Sequence, residues 1–489
     1  MKVLKIPLIL GFPLVLGACA GMVPGEYTDT KAGFANVSAE TSAAIGKRTV
    51  FAQTQAENAA IQREVHGLVY RKTISAETAV QVALLNNKGL QASYANVGLS
   101  AAEAWEQSTP ADPVVSIGLL GIGAPELGVY RAIEGLVRAN ILDATTRKQR
   151  MALADTGFRQ AQLAAVNDSL ALANQTRAAW INAVSAFEMV GYLSRAKKTS
   201  DAGSELALRL GETGALNKAG QAREQAFNAE LAGQLAQARL NAVRAKEDLT
   251  RLMGLWGTEV DYFVPDALPA LPRSVGRITS IEAKALTSRV DLRIAKLGLE
   301  AQARAFELTD KTRIVSDLEI VAGAELEREV GEDGDIEKNI TTPLDLEIAF
   351  AIPIFDSGKV TMRKAELMYL QSANVLAEKA VNVRSEARSA EMTYHSAYKI
   401  ARHYRDVLVP LRTTVEEEAL LSYNGMITST FELLTDTRER LGASMEAANA
   451  KREFYLAQAD LTAAIYGGGA AGGGGGEAAS LAAGGGAPH

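Results

Sequence analysis

The chain has 489 residues, 47% apolar and 22% charged, with a net charge of −6; it can fill a large core, is not bulk-disordered, and is a poor match for nucleic acid. Mean hydropathy is +0.00, and beyond residue 20 no apolar run reaches the roughly 18 residues of a spanning helix. That excludes a polytopic helical transporter but not a membrane β-barrel, whose alternating strands average to neutral. One Cys and four scattered His leave no disulfide framework and little support for a metal site.

In chain order, Lys2 and Lys5 precede an apolar stretch from Ile6 to Leu16 that contains Pro7 and Pro13 and is too short to span a bilayer. This is the layout of a secretory signal over residues 1–18. Small residues then precede the only Cys, in Leu16-Gly17-Ala18-Cys19. Residues 19–74 form an N-terminal extension with an extra helix-like stretch at 38–65. A first repeat over 75–254 reads as a helix, a strand pair within 113–142, a long helix 143–211 and a returning helix 215–254. The strands of that pair are Val114 to Gly123 and Val129 to Leu142, their alternation blurred by glycines. The long helix lacks Pro and would extend roughly 100 Å. Val166, Ala173, Trp180 and Phe187 recur at sevens along it. The returning helix keeps a four-three spacing through Leu231, Leu235, Ala238, Ala242, Ala245, Leu249 and Leu252, which is a coiled-coil seam.

Residues 255–277 form a linker, and a second repeat over 278–466 follows: a helix, a strand pair within 317–354, a long helix 357–422 and a helix 426–466. Ala83-Leu84 with Leu90 returns as Ala285-Leu286 with Leu292, an offset of about 202 residues. Leu318, Ile320, Ala322, Ala324 and Leu326 alternate with Glu319, Glu325 and Glu327. Leu344, Leu346, Ile348, Phe350, Ile352 and Ile354 alternate with Asp345, Glu347, Ala349, Ala351 and Pro353. A period of two with one apolar and one polar face fits tilted membrane strands, and Glu319, Glu325, Asp345 and Glu347 would then line a barrel. Gly331 to Asn339 reads as the solvated loop between them. Four strands cannot close a barrel, because even small ones need about eight, so oligomerisation follows from strand count. Ala397, Ile400, Tyr404, Val407 and Leu411 make another seam. Pro410 should bend its helix. Gly214 and Gly425 are expected to reverse the chain through positive φ. The Gly/Ala-rich run from Gly467 to His489 reads as a disordered tail.

Several of these segments together resemble one family. They are Ile352-Pro353-Ile354-Phe355-Asp356-Ser357-Gly358; Leu252-Met253-Gly254-Leu255-Trp256-Gly257 followed by Phe263-Val264-Pro265-Asp266-Ala267-Leu268-Pro269 and Pro272; Val409-Pro410-Leu411 with Tyr423-Asn424-Gly425 and Phe431-Glu432-Leu433-Leu434; and Ala83-Leu84 with Asn86-Asn87. In this order, over roughly residues 75–466, they resemble the outer-membrane efflux protein (TolC) family, and the Leu-x-x-Cys box resembles its lipoprotein branch. The first-half strand exit, Asn140 to Thr145, lacks the Pro and Gly of the motif. Gly220 stands about where several members carry an acid.

The resemblance implies a mainly α membrane protein of the α/β class. Three copies of four strands would make a twelve-stranded outer-membrane barrel that continues into a long periplasmic α-helical barrel. It implies cleavage before Cys19, lipidation of Cys19 with palmitate-type chains, and outer-membrane sorting through Ala20. The implied role is a passive duct in tripartite efflux or type I secretion, with no enzymatic reaction, cofactor or metal. Its implied partners are a periplasmic adaptor (membrane fusion) protein, an inner-membrane RND or ABC transporter and outer-membrane lipid. Glu432 and Tyr423 are the implied periplasmic gate residues, although a solvated surface Glu and a packed Tyr are the plainer readings of the same positions. No GxxxxGK[ST] loop is present. The alternative is a periplasm-spanning coiled-coil structural lipoprotein without channel activity, but such a rod has no use for two amphipathic hairpins.

Overall fold

The computed structural model describes residues 23–120, 122, 131–214, 216–313, 318–330, 336–350, 358–425, 427–428 and 430–469. The expected signal segment, Cys19, most of the Ile352–Gly358 motif and the run beyond 469 lie outside the described residues. Two compact units are present: Met1–Ala35 with Asn96–Gln162 and Ile294–Glu378, and Asn36–Ala95 with Leu163–Arg293 and Lys379–His489.

The chain opens with α1 (Gly25–Thr28), α2 (Phe34–Ile45) and α3 (Gln55–Val69). The expected single stretch at 38–65 is therefore two helices. Gly46, at φ +66°, follows the first, and a capping box between Thr54 and Glu57 starts the second. Next come α4 (Ala76–Asn86), α5 (Lys88–Ser108), β1 (Val114–Leu120), β2 (Ala132–Asn140), α6 (Ile141–Glu212) and α7 (Lys218–Met253). After a short 3₁₀ turn, Gly257–Val260, the chain forms α8 (Ile281–Ser288), α9 (Val290–Thr312), β3 (Leu318–Val330), β4 (Ile336–Phe350) and α10 (Lys359–His403). A π turn, Tyr404–Leu408, leads into α11 (Val409–Asn424), and α12 (Thr430–Tyr466) completes the helices. The helix is unbroken for 72 residues in α6 because nothing between Ile141 and Glu212 removes an N–H.

In the first unit the four strands form one antiparallel sheet in the order β1-β2-β3-β4. Strand β4 begins at Ile336, which pairs with Val330, so residues 336–339 belong to the ladder and not to the expected loop. The pairing shifts register twice between Gly323 and Leu326, opposite the stretch of β4 that holds Pro343. A proline has no N–H to give a ladder, and a bulge absorbs the loss.

In the second unit the four-three seam of α7 is buried: Leu231, Leu235 and Ala238 pack on Leu193 and Ala196 of α6. Of the seam expected at Ala397, Ile400, Tyr404, Val407 and Leu411, only Ala397 and Tyr404 pack against the core. Ile400 is 53% and Leu411 58% exposed, whereas Tyr398 and Ala401, one position away, pack on Leu271 and Phe454. The inter-repeat linker supplies the core partner, so the buried stripe of α10 is the one that faces the linker. Before Pro410 the helix is interrupted by a π turn, closed by Val409 N–H to Tyr404 O. The expected disordered tail is ordered at its start: Gly467 and Gly468 are buried, and Asn174 donates to both their carbonyl oxygens at 3.3 Å.

Candidate functional site

The sheet sorts its side chains by register. Cα partners lie on one face, so the ladders place Val115, Ile117 and Leu119 of β1 beside Val137, Gly135 and Ile133 of β2. The same face continues with Ala322, Ala324 and Leu326 of β3, and then with Leu346, Ile348 and Phe350 of β4 opposite Ala322, Ile320 and Leu318. No ionisable residue stands among them. Ile117 is 75% and Leu346 65% exposed, so among the described residues nothing covers this face at either of them. The opposite face carries Glu134 and Arg138 of β2, Glu319, Glu325 and Glu327 of β3, and Glu347 of β4.

The register thus puts the sequence-predicted Glu319, Glu325 and Glu347 together on one polar surface. Asp345 pairs through its backbone with Gly323, and its side chain lies outside the described residues. Glu134 stands directly across from Glu325; like charges facing each other on adjacent strands repel and cost stability in a sheet. Arg131 relieves part of this charge by an ion pair to Glu327 at 3.0 Å. Reading the second half alone missed Glu134, whose strand is blurred by glycines.

The reversals at the other predicted positions lie in the second unit. Gly214 has φ +78°, as expected. Gly425 does not: its φ is −79° and ψ 2°. There the turn is closed by Gly425 N–H to Leu421 O and Ile427 N–H to Ser422 O, both 2.9 Å, and right-handed backbone suffices. Tyr423 is half-buried in the last turn of α11. Glu432 is exposed in the first turn of α12, where a carboxylate also favours the helix end.

Residues not singled out from the sequence hold these helices together. Arg412 pairs with Glu439 and Arg440 with Glu416, tying α11 to α12. Glu224 of α7, its side chain only 5% exposed, pairs with Arg438 of α12, whose guanidinium lies 4.1 Å from the Phe227 ring centre. Gly203 of α6 gives this contact room, since a Cβ there would stand 3.2 Å from Leu434. Glu224 is one helical turn beyond Gly220. A partner 214 residues away leaves no local pattern to find it by.

The linker is captured carbonyl by carbonyl. Buried Glu188 pairs with Lys451 at 2.7 Å and accepts from the Leu268 N–H at 3.0 Å. Tyr455 donates to Pro269 and Ala270 oxygens, and Tyr398 to Pro272 and Arg273 oxygens at 3.1 and 2.7 Å. The Asn86-Asn87 pair does the same for the end of α7: Asn86 donates to Met253 and Gly254 oxygens, and Asn87 to Leu252. These amides satisfy helix-end carbonyls that have no partner within the helix. His395 lies 3.9 Å from Glu391 with no third ligand, and no group of three metal-ligating side chains occurs among the described residues.

No family model and no curated protein matches the sequence. Solved structures do. The outer-membrane channel OprN is 16% identical, with a TM-score of 0.64 over 81% of this chain and 90% of that one. CusC, solved in a study of folding and transmembrane channel formation, is 14% identical, with a TM-score of 0.66 over 80% and 92%. The CmeC outer membrane channel of Campylobacter jejuni is 17% identical, with a TM-score of 0.61 over 81% and 86%. The chain has the fold of these outer-membrane channels, a mainly helical body with a small four-stranded antiparallel sheet. The structures it resembles are channels and not enzymes.

Proposed function

We propose that the chain is the outer-membrane channel of a tripartite efflux or type I secretion system, a passive duct assembled from three copies and lipid-anchored at Cys19. The observation that carries this reading is the sorting of the sheet by register into one face that is apolar from Leu318 to Leu326, with Arg328 and Lys338 only beyond it, and one face rich in carboxylates. An exposed apolar sheet face matches lipid, and an acidic face matches a wet lumen, so Glu319, Glu325 and Glu347 would line the barrel with Asp345 and Glu134. The free outer edges of β1 and β4 need partners, and copies of the same sheet supply them without leaving an edge. The exposed stripe of Ile400, Val407 and Leu411 is a heptad seam that a neighbouring copy's helix would fill. The matched helix breaks at Asn87 and Arg289 support two repeats; in each, the N–H bonds the carbonyl four residues back at 2.9 Å.

The energy for export would come from an inner-membrane pump reached through a periplasmic adaptor. At the helical end, three copies of Glu432 would form a ring that narrows the bore and favours cations, with Tyr423 holding the closed arrangement. The alternative, a structural coiled-coil lipoprotein, leaves the exposed apolar sheet face without a use.

The test is native mass in detergent together with single-channel conductance in planar bilayers. A trimer with small, cation-selective conductance that rises in Glu432→Gln supports both duct and gate. A conductance indifferent to that change keeps the duct and removes the gate. A monomer, or a trimer that does not conduct, rejects the duct.

A further inference from the structure

In the second unit α7 carries two seams, and its own chain fills only one. The buried run passes through Leu231, Leu235 and Ala238. On another face Ala222, Ala226, Ala229, Gly233, Ala236, Leu240 and Val243 repeat the four-three spacing, and all of them are exposed. None is ionisable. The run is small from Ala222 to Ala236 and large at its end, where Leu240 is 44% and Val243 63% exposed. A Cβ built on Gly233 would meet nothing within 4 Å.

The exposed stripe of α10 and α11 has the converse pattern. It is large at Val415, Leu411, Val407 and Ile400, and small beyond them at Ser396 and Thr393. Beside Ser396 a groove of about 490 Å³ opens between α10 and α12, lined by Met392, Ser396, Ala397 and Ile400 on one side and by Asn449 and Glu453 on the other. The heights of the two stripes are fixed by α12, which touches both helix pairs. Glu224 of α7 and Arg412 of α11 pair with its adjacent residues Arg438 and Glu439. Farther from the two turns, Glu188 of α6 reaches Lys451, and Tyr398 of α10 packs on Phe454. To within about one helical turn, Ala222 is level with Val415, Ala226 with Leu411, Ala236 with Ile400 and Leu240 with Ser396.

We propose that α7 of one copy packs on α10 and α11 of the next. Its small residues take Val415, Leu411, Val407 and Ile400, and its Leu240 and Val243 enter the groove beside Ser396. This rests on the reading of the chain as a channel assembled from copies, and it names the faces through which they meet. Copies arranged around an axis along the helices keep the heights above, so small meets large at every level. Pairing α7 with α7 would set small on small and leave the groove empty. Exposed Arg239, next to Leu240, brings a cation to the rim that holds Glu453. A contact between two different faces runs head to tail, and that is the kind that closes into a ring.

The test is disulfide cross-linking in the full-length chain, read beside native mass in detergent. Ala226→Cys with Leu411→Cys should give a reducible ladder that ends at three chains, because each copy is bonded to the next. Either substitution alone should give none, and that control also reports any bond to Cys19. Ala226→Cys with Ile400→Cys uses the same faces about 16 Å out of step and should give at most about one-tenth as much. Ala236→Leu puts bulk opposite Ile400 and should lower the trimer share about fivefold; adding Ile400→Ala should restore it. A ladder from Ala226→Cys alone, equal yields from the two pairs, or a trimer indifferent to Ala236→Leu overturns the inference. So do native trimers that the first pair does not link, which would keep the duct and leave the α7 seam to a partner of another kind. A chain that is monomeric before any substitution rejects the channel reading and the interface together.

Discussion

The two halves of the chain meet the same three geometric demands with different chemistry. Where a strand turns into a long helix, β2 runs into α6 without a loop, and the Asn140 side chain accepts the Asp143 N–H at 3.1 Å as a helix cap. The second half does it with Gly358, at φ +70°, pressed so close to Arg313 that a Cβ would stand 2.7 Å from its Cβ and 2.8 Å from its carbonyl oxygen. Where a helix breaks, Asn86 and Asn87 bring neutral amides to the end of α7, while Arg289 brings charge to Asp291 and Glu386. Where the chain reverses, Gly214 uses left-handed backbone and Gly425 does not. A corner is a demand on dihedral angles and orphaned backbone groups, and more than one residue set can meet it. This is why the first-half exit lacks the Pro and Gly of the second without lacking the turn.

The sharpest way to break the comparison is at the strand exits. Gly358→Ala adds left-handed strain and a clash with backbone that cannot move aside, so it should cost about 3 kcal/mol in denaturant unfolding of the purified protein. Asn140→Ala loses one cap bond and should cost about 1 kcal/mol. Equal costs would mean that the two exits are alike after all.

The same contrast marks what could be read from the sequence. The sheet faces were legible because burial sorts side chains with a period of two, and Leu346, Ile348 and Phe350 carry that period unbroken. Which stripe of α10 is buried was not legible. The stripes through Ile400 and Tyr398 are both apolar enough, and the choice falls to the linker, whose carbonyls pair with Tyr398. Pairs such as Glu224–Arg438 and Glu188–Lys451 were equally hidden, because nothing local marks a carboxylate whose partner lies two hundred residues on. Gly358 was flagged as part of a motif. The reason for it, the Arg313 backbone lying against its Cα, needed the fold.

The helix breaks offer the next test, with a sign. Arg289 is 9% exposed and pairs with Asp291 at 2.8 Å and with Glu386. Arg289→Met would leave Asp291 with Lys379 at 3.7 Å and the Leu292 backbone N–H. A buried pair broken on one side costs about 3–5 kcal/mol, and because Glu386 reaches solvent the expected loss here is about 2 kcal/mol. Asn87→Ala should cost about 1 kcal/mol. The two breaks should also differ in pH response. Desolvation acts to raise Asp291, but the Arg289 hydrogen bond and charge outweigh it and hold the carboxyl below its ordinary 3.8. A carboxyl lowered in the folded state stabilises above its unfolded value, and that contribution is lost as pH falls through the folded one. Wild type should therefore lose stability below about pH 4 more steeply than Arg289→Met, while Asn87→Ala leaves the acid limb unchanged.

The reversals give the smallest effect and the clearest change of sign. A Cβ at Gly214 meets nothing within 4 Å, so Gly214→Ala costs only the left-handed strain, about 1 kcal/mol. At Gly425 the backbone is right-handed, and an added Cβ finds the Leu421 oxygen and Ile427 Cδ1 at 3.5 Å, ordinary contact distances. Alanine fits there without strain and narrows the unfolded ensemble, so Gly425→Ala should stabilise the chain by about 0.5 kcal/mol. Opposite signs at two glycines that look equivalent in the sequence would show that the second turn is made by its hydrogen bonds and not by the freedom of its glycine. If Gly425→Ala instead costs as much as Gly214→Ala, the freedom of the glycine, and not the two hydrogen bonds, is what the second turn depends on.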